Sequence, residues 1–181
     1  MKMKKLETFE IQRLSVEEFQ NTHKNSFVIV LDDVRSLHNV GSAFRTADAF
    51  AAEKIYLCGI TGTPPNREIQ KTALGATESV AWEYIEKINE LIENLKNKGY
   101  IIVSIEQTHN STLLQNFTID TEKKYAFVFG NEVFGVNADI VANSDICLEI
   151  PQFGTKHSLN VSVTIGIVCW HSINEQLKKA N

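Results

Sequence analysis

The hydrophobic positions fall into short continuous runs separated by stretches of helical period. Residues 27–31 (Phe-Val-Ile-Val-Leu) are apolar without interruption and close on Asp32 and Asp33, the pattern of a strand covered on both faces in a parallel sheet. Shorter runs predict further strands over 55–58, 80–84, 100–105, 125–129 and 145–150. Between them lie predicted helices over 40–51, 69–73, 85–97 and 139–142, and a final helix over 162–177 with so little charge that it reads as buried on most sides. Ile88, Leu91, Ile92 and Leu95 recur at helical spacing, and Gly99 stops that helix. Strands alternating with helices indicate one α/β domain over 26–181, a mostly parallel sheet flanked by helices. Residues 1–25 form a polar arm, in which Ser15 followed by Glu18 fits a capping box opening a short helix.

Composition narrows the function classes. The 181 residues, 43% hydrophobic, suffice for a single core. The formal net charge of −4 supplies no global positive field, so a nucleic-acid partner would be held by a local patch or by two subunits together. Basic candidates are Lys2, Lys4, Lys5, Arg13, Arg35, Arg45, Lys71 and Lys156, of which Arg35 and Lys156 stand beside the motifs below. Cys58, Cys147 and Cys169 are widely spaced in apolar sequence and read as free thiols of a reducing compartment, not as a disulfide framework or zinc site. His38, His109 and His157 are too scattered to make a metal centre, so no metal is expected. Residues 6–15 lack the apolar segment of a secretory signal and no run approaches a membrane span, so the expected location is the cytoplasm.

Polar clusters fall at predicted strand ends: Asp32-Asp33, Glu106-Gln107, Gly130-Asn131-Glu132 and Pro151-Gln152. In open α/β sheets that edge is where ligands bind. Neither a G-x-G-x-x-G nor a Walker A sequence is present, which removes the ordinary nucleotide-binding readings. Three constellations remain. The first is Asn39-Val40-Gly41 with Arg45 one turn on, in which Asn39 could cap the helix, Gly41 admits a close approach, and Arg45 sits among apolar neighbours or pairs with Asp48 or Asp33. The second is Gly130-Asn131-Glu132 followed by Gly135, a tight loop at a strand end. The third runs from Ile150-Pro151 through Gly154 to Ser158-Leu159-Asn160-Val161-Ser162, whose polar side chains could cap the last helix or point into a pocket.

Together, and in this order, the three resemble the motifs of the SpoU (TrmH-like) family of SPOUT methyltransferases over about residues 27–177: N-x-G-x-x-x-R, then a glycine, glutamate and glycine, then I-P-x-x-G-x-x-x-S-L-N-V-S. Gln152-Phe153 departs from the methionine that relatives often carry after the proline. The stretch from Lys71 to Ala76 also resembles a family segment, with no chemical role assigned. The resemblance implies a SPOUT-type α/β knot with a C-terminal trefoil knot, a homodimer, and transfer of a methyl group from S-adenosylmethionine to a ribose 2′-hydroxyl of structured RNA. Chains with an extra N-terminal RNA-binding domain exist in the family; its lack here tilts the expectation from rRNA toward tRNA. The same resemblance implies that Gly130, Ile150 and Leu159 cradle the adenosine, with Glu106, Gln107 and Gly135 nearby. It makes Arg45 catalytic beside Asn39, Glu132, Ser158 and Asn160, and Arg35, Arg45 and Lys156 the RNA contacts. Either Arg45 takes the 2′-hydroxyl proton, or it clamps charge while Glu132 or water takes it. A base-nitrogen methyltransferase of the same fold and a non-catalytic RNA-binding protein are the alternatives.

Overall fold

The computed structural model describes residues 3–180, so Lys2 lies outside the described residues, as do the first two and the last positions of the expected arm and domain. The capping box forms as expected: Ser15 Oγ accepts from Glu18 N at 3.2 Å and Glu18 Oε2 from Ser15 N at 2.7 Å, opening α1 (Val16–Asn21). Phe19 packs against the core and Gln20 Nε2 donates to Glu78 O, so this part of the arm covers the domain.

The chain then runs β1 (Asn25–Asp32), α2 (Leu37–Ala49), β2 (Ala52–Cys58), α3 (Arg67–Ala73), α4 (Ala76–Ser79), β3 (Trp82–Ile85), α5 (Ile88–Asn97) and β4 (Tyr100–Ile105). It continues with β5 (Thr112–Leu113), β6 (Lys124–Phe129), α6 (Ala138–Asn143), β7 (Ile146–Glu149) and α7 (Val161–Ala180). The strands make one seven-stranded sheet, ordered β3-β2-β1-β6-β4-β7-β5. All six strand pairings are parallel among the described residues.

The strands are apolar throughout because both faces are covered. Phe27, Ile29, Leu31, Phe127 and Phe129 face Val40, Phe44 and Ala47 of α2 and Ile165, Val168 and Cys169 of α7. The alternate residues Val28, Val30, Ala126 and Val128 face Leu91, Ile92 and Leu95 of α5 and Ile140 of α6. Parallel pairing puts all the carboxyl ends on one edge, where Asp32, Glu106, Gly130 and Ile150 emerge.

Two expectations change, and two short elements appear that the pattern did not predict. α2 begins at Leu37, capped by Ser36, whose Oγ accepts from Asn39 N; Asn39 therefore lies in the first turn and is not the cap. α7 is buried along one face only, since Val163 and Trp170 are 50% and 52% exposed, so its low charge marks an uncovered apolar face. α4 and β5, four and two residues long, are too short to show any period and were not predictable from pattern.

Candidate active site

The site is built around the loop that leaves β6. Asn131 and Gly135 exchange backbone hydrogen bonds at 2.9 Å each, closing a tight turn. Inside it, Asn131 Oδ1 accepts from Val133 N at 2.8 Å and Phe134 N at 3.1 Å, while Asn131 Nδ2 donates to Asp33 O at 2.8 Å. Gly135 has φ 71°, and a Cβ there would overlap the Glu106 carboxylate; one at Gly130 would overlap the backbone of Gly135 and Val136. Carboxylates from two other strand ends hold the exit of the loop: Glu106 Oε2 accepts from Val136 N at 3.0 Å and Asp32 Oδ2 from Asn137 N at 2.8 Å. Burial pushes the Asp32 carboxyl up from its ordinary pKa, the Asn137 hydrogen bond offsetting part of this and neighbouring Asp33 adding to it.

Glu132 turns the other way, onto the start of α2. Its carboxylate accepts from Arg35 N and Ser36 N at 3.0 Å each and from Asn39 Nδ2 at 2.9 Å. Partial burial raises its pKa, but the hydrogen bonds from Arg35, Asn39 and Ser36 outweigh that, and the carboxyl sits below its ordinary value. Asn39 Oδ1 in turn accepts from Asn160 Nδ2 at 3.2 Å. Asn160 also caps α7, its Oδ1 accepting from Ser162 N at 2.9 Å and Ser162 Oγ at 2.6 Å. One polar chain, Glu132–Asn39–Asn160–Ser162, thus ties the first, second and third motifs together. Asn160 does both things its sequence left open: it caps the helix and faces the pocket.

Between this chain and the end of β4 lies a cavity of about 800 Å³. Gly130, Gly135, Ile150, Leu159, Glu106 and Gln107 all line it, and so do Glu132, Ser158 and Asn160. Gln107 Nε2 donates to His157 O at 2.8 Å, holding the 150–160 loop across the opening. Ile150, Leu159 and Val141 supply apolar lining beside the backbone of the 130–136 turn and the polar side chains of Glu106 and Gln107, a set suited to a nucleoside.

Asn39, Arg35, Arg45 and Lys156 do not line the cavity. Asn39 acts from behind the wall, through Glu132 and Asn160. Arg35 contributes its backbone N–H to Glu132. Arg45 is exposed on α2, contrary to its apolar sequence setting, because Val40, Ala43, Phe44 and Ala47 form the buried stripe and Arg45 falls on the opposite face. It makes no ion pair with Asp48 or Asp33: Asp48 accepts from Ser79 Oγ, and Asp33 from Ile60 N. Lys156 is exposed on the 150–160 loop. Gly41 serves packing, since a Cβ there would overlap Ile69 O and Thr72 Oγ1 of α3. Thr72, in the segment with no assigned role, is therefore what the glycine of the first motif accommodates, its Oγ1 bonding His38 O at 3.0 Å. Asn131 is the site residue whose importance its sequence concealed, since asparagine after a strand ordinarily means only a turn.

The sequence profile of the SpoU rRNA Methylase family matches residues 26–170, from β1 into α7. The chain belongs to that family. A tRNA/rRNA methyltransferase of Borreliella burgdorferi, itself uncharacterised, is 31% identical over 180 residues, covering 98% of this chain and 77% of its own. The tRNA (guanosine(18)-2′-O)-methyltransferase of Aquifex aeolicus is 29% identical, covering 91% of this chain and 76% of its own. Among solved structures, the AdoMet-bound rRNA methyltransferase of Sinorhizobium meliloti superposes with a TM-score of 0.75 at 26% identity, over 84% of this chain and 58% of that one. As a SpoU-family chain, it carries the family's methyltransferase fold on the sheet described above. Among the described residues no cluster of His, Cys, Asp and Glu is arranged to hold a metal ion, and no helix is long and apolar enough to cross a membrane.

Proposed function

We propose that this chain transfers the methyl group of S-adenosylmethionine to a ribose 2′-hydroxyl of RNA. The observation that carries the reading is a cavity lined by Gly130, Gly135, Ile150 and Leu159 and bordered by the Glu132–Asn39–Asn160 chain. Gly130, Ile150 and Leu159 would hold the adenosine through backbone groups, with Glu106, Gln107 and Gly135 beside them. The bound cofactor supplies an activated methyl on a sulfonium, so the protein's task is positioning and charge control. Glu132 already accepts three hydrogen bonds and its carboxyl is pushed toward the ionised form, which makes it a holder of Asn39 and of the 35–36 backbone and a poor proton acceptor. That leaves Ser158 and Asn160 to orient the acceptor ribose and Arg45 to clamp a phosphate or the developing alkoxide, the proton leaving to water.

The same proposal includes a homodimer, supported by the uncovered apolar face of α7 at Val163 and Trp170. Because α7 packs on α2, that interface would lie close to Arg45. Arg35, Arg45 and Lys156 are the proposed RNA contacts, tRNA is the first pool to assay, and the cytoplasm is the proposed location. The trefoil-knot threading also belongs here; β6 and β7 flank β4, and the 150–160 loop returns past Gln107 before α7 reaches α2, which supports it.

Radiolabelled S-adenosylmethionine, incubated separately with unmodified tRNA and rRNA, should yield a 2′-O-methylated nucleoside in one pool. Arg45→Ala should abolish that product while leaving cofactor affinity within a few-fold. A methylated base, or no incorporation into either pool, would overturn the reading.

A further inference from the structure

The turn that carries Glu132 also carries two apolar residues that the chemistry above does not use. Val133 and Phe134 line the cavity, yet they are 67% and 85% exposed. Leaving a phenylalanine in water forfeits the burial free energy of one of the largest apolar side chains. Nor is the exposure that of a loose loop. Phe134 N donates to Asn131 Oδ1, Gly135 N donates to Asn131 O, and Asn131 Nδ2 is anchored to Asp33 O. The ring is therefore presented from a fixed backbone, two residues from Glu132, at a cavity that Gly130, Ile150 and Leu159 also line.

Resting on the proposed transfer to a ribose, this arrangement has a consequence for the base. With the methyl donor inside the cavity, the acceptor 2′-hydroxyl reaches it from a nucleotide splayed out of its stack, as in single-stranded RNA loops and ends. An unstacked base exposes both faces, and a fixed aromatic ring is the sequence-tolerant way to cover one of them. We propose that Phe134 is the stacking platform for the nucleobase of the acceptor nucleotide, making it a residue that positions substrate for the proposed reaction. Val133 and the hairpin backbone hold the ring out; the adenosine of the cofactor lies against Gly130, Ile150 and Leu159. Stacking reads no hydrogen-bond pattern, so Phe134 strengthens binding of the flipped nucleotide without choosing among bases.

The test uses the full-length protein with the RNA pool that accepts methyl from the wild type. Phe134→Ala should lower kcat/KM for RNA by roughly ten- to a hundred-fold, the usual loss on removing one base-stacking ring. Its dissociation constant for S-adenosylmethionine and its sedimentation coefficient should match wild type. Phe134→Tyr and Phe134→Trp should stay within a few-fold of wild-type kcat/KM, and RNA should quench the extra fluorescence of the tryptophan variant. Wild-type kinetics for Phe134→Ala would overturn the proposal. Equal loss in the alanine and tyrosine variants, weakened cofactor binding, or a changed sedimentation coefficient would also overturn it, assigning the ring to the cofactor or to a second copy. Failure of the underlying reading looks different: the wild type itself would then form no 2′-O-methylated nucleoside.

Discussion

Glu132 is where the hydrogen bonds of the site converge, and its behaviour follows from having three donors on two oxygens. Glu132→Gln replaces one accepting oxygen by an NH₂ group that faces backbone N–H donors. It should cost about 1 kcal/mol of stability, measured as the denaturant midpoint. Turnover should fall on the order of 100-fold through displacement of Asn39 and Asn160, while cofactor binding persists. The pH dependence has a definite sign. A carboxyl whose folded pKa is lowered contributes stability that is complete above its unfolded value, about 4.3, and is lost as pH falls through the lower folded value. Residue by residue, the sequence pointed to Glu132, Ser158, Asn160, Gly130 and Gly135 through the family resemblance, and these residues line the cavity. The site was less legible where a residue acts through its neighbours. Asn39 looked like a cap because polar residues before an apolar helix usually are; Ser36 had taken that place, freeing Asn39 to bridge two motifs.

At the scale of elements, the hairpin after β6 depends on two positions that cannot carry a side chain. Gly135→Ala would put a methyl group into the Glu106 carboxylate at a φ of 71°. It should break the Glu106–Val136 hydrogen bond and weaken S-adenosylmethionine binding by at least ten-fold in calorimetry, with the far-ultraviolet dichroism of the helices retained. The central strands could be read directly, because burial on both faces leaves β1 and β6 almost purely apolar. Helix α7 could be located but not oriented: its first three turns carry no charge, and whether a face meets the sheet, another subunit or water is decided by tertiary position. The four-residue α4 and two-residue β5 carry too few positions for any pattern.

For the whole molecule, the apolar strip on α7 and the modest negative charge make one statement about assembly. Trp170 is 52% exposed and touches Phe50 at a ring distance of 6.2 Å, so it lies outside the core. Trp170→Glu should therefore leave the fold intact while shifting sedimentation to that of the single chain, and activity should fall with the dimer. A wild type that sediments as a single chain would remove the homodimer from the proposal. Strand order was the least legible property at this scale. Nothing local in the sequence says that β6 is inserted between β1 and β4, or that β7 lies beyond β4; those neighbours are selected by which faces can be covered together.

The Glu132–Asn39–Asn160 chain links residues that are 93 and 121 positions apart. Closing such separations is slow relative to local structure, because the intervening chain must first lose its freedom. During synthesis β1 and α2 emerge early, but Asp32 and the Asn39 amide lack the partners given above until the segment after β6 and then the start of α7 leave the ribosome. A nascent chain halted before Asn160 would hold much of its sheet and still lack the amide that ties the cavity wall to Asn39. Catalytic competence is thus a late event in the life of each chain, and retention on an immobilised S-adenosylmethionine analogue would separate finished molecules from those that are merely compact.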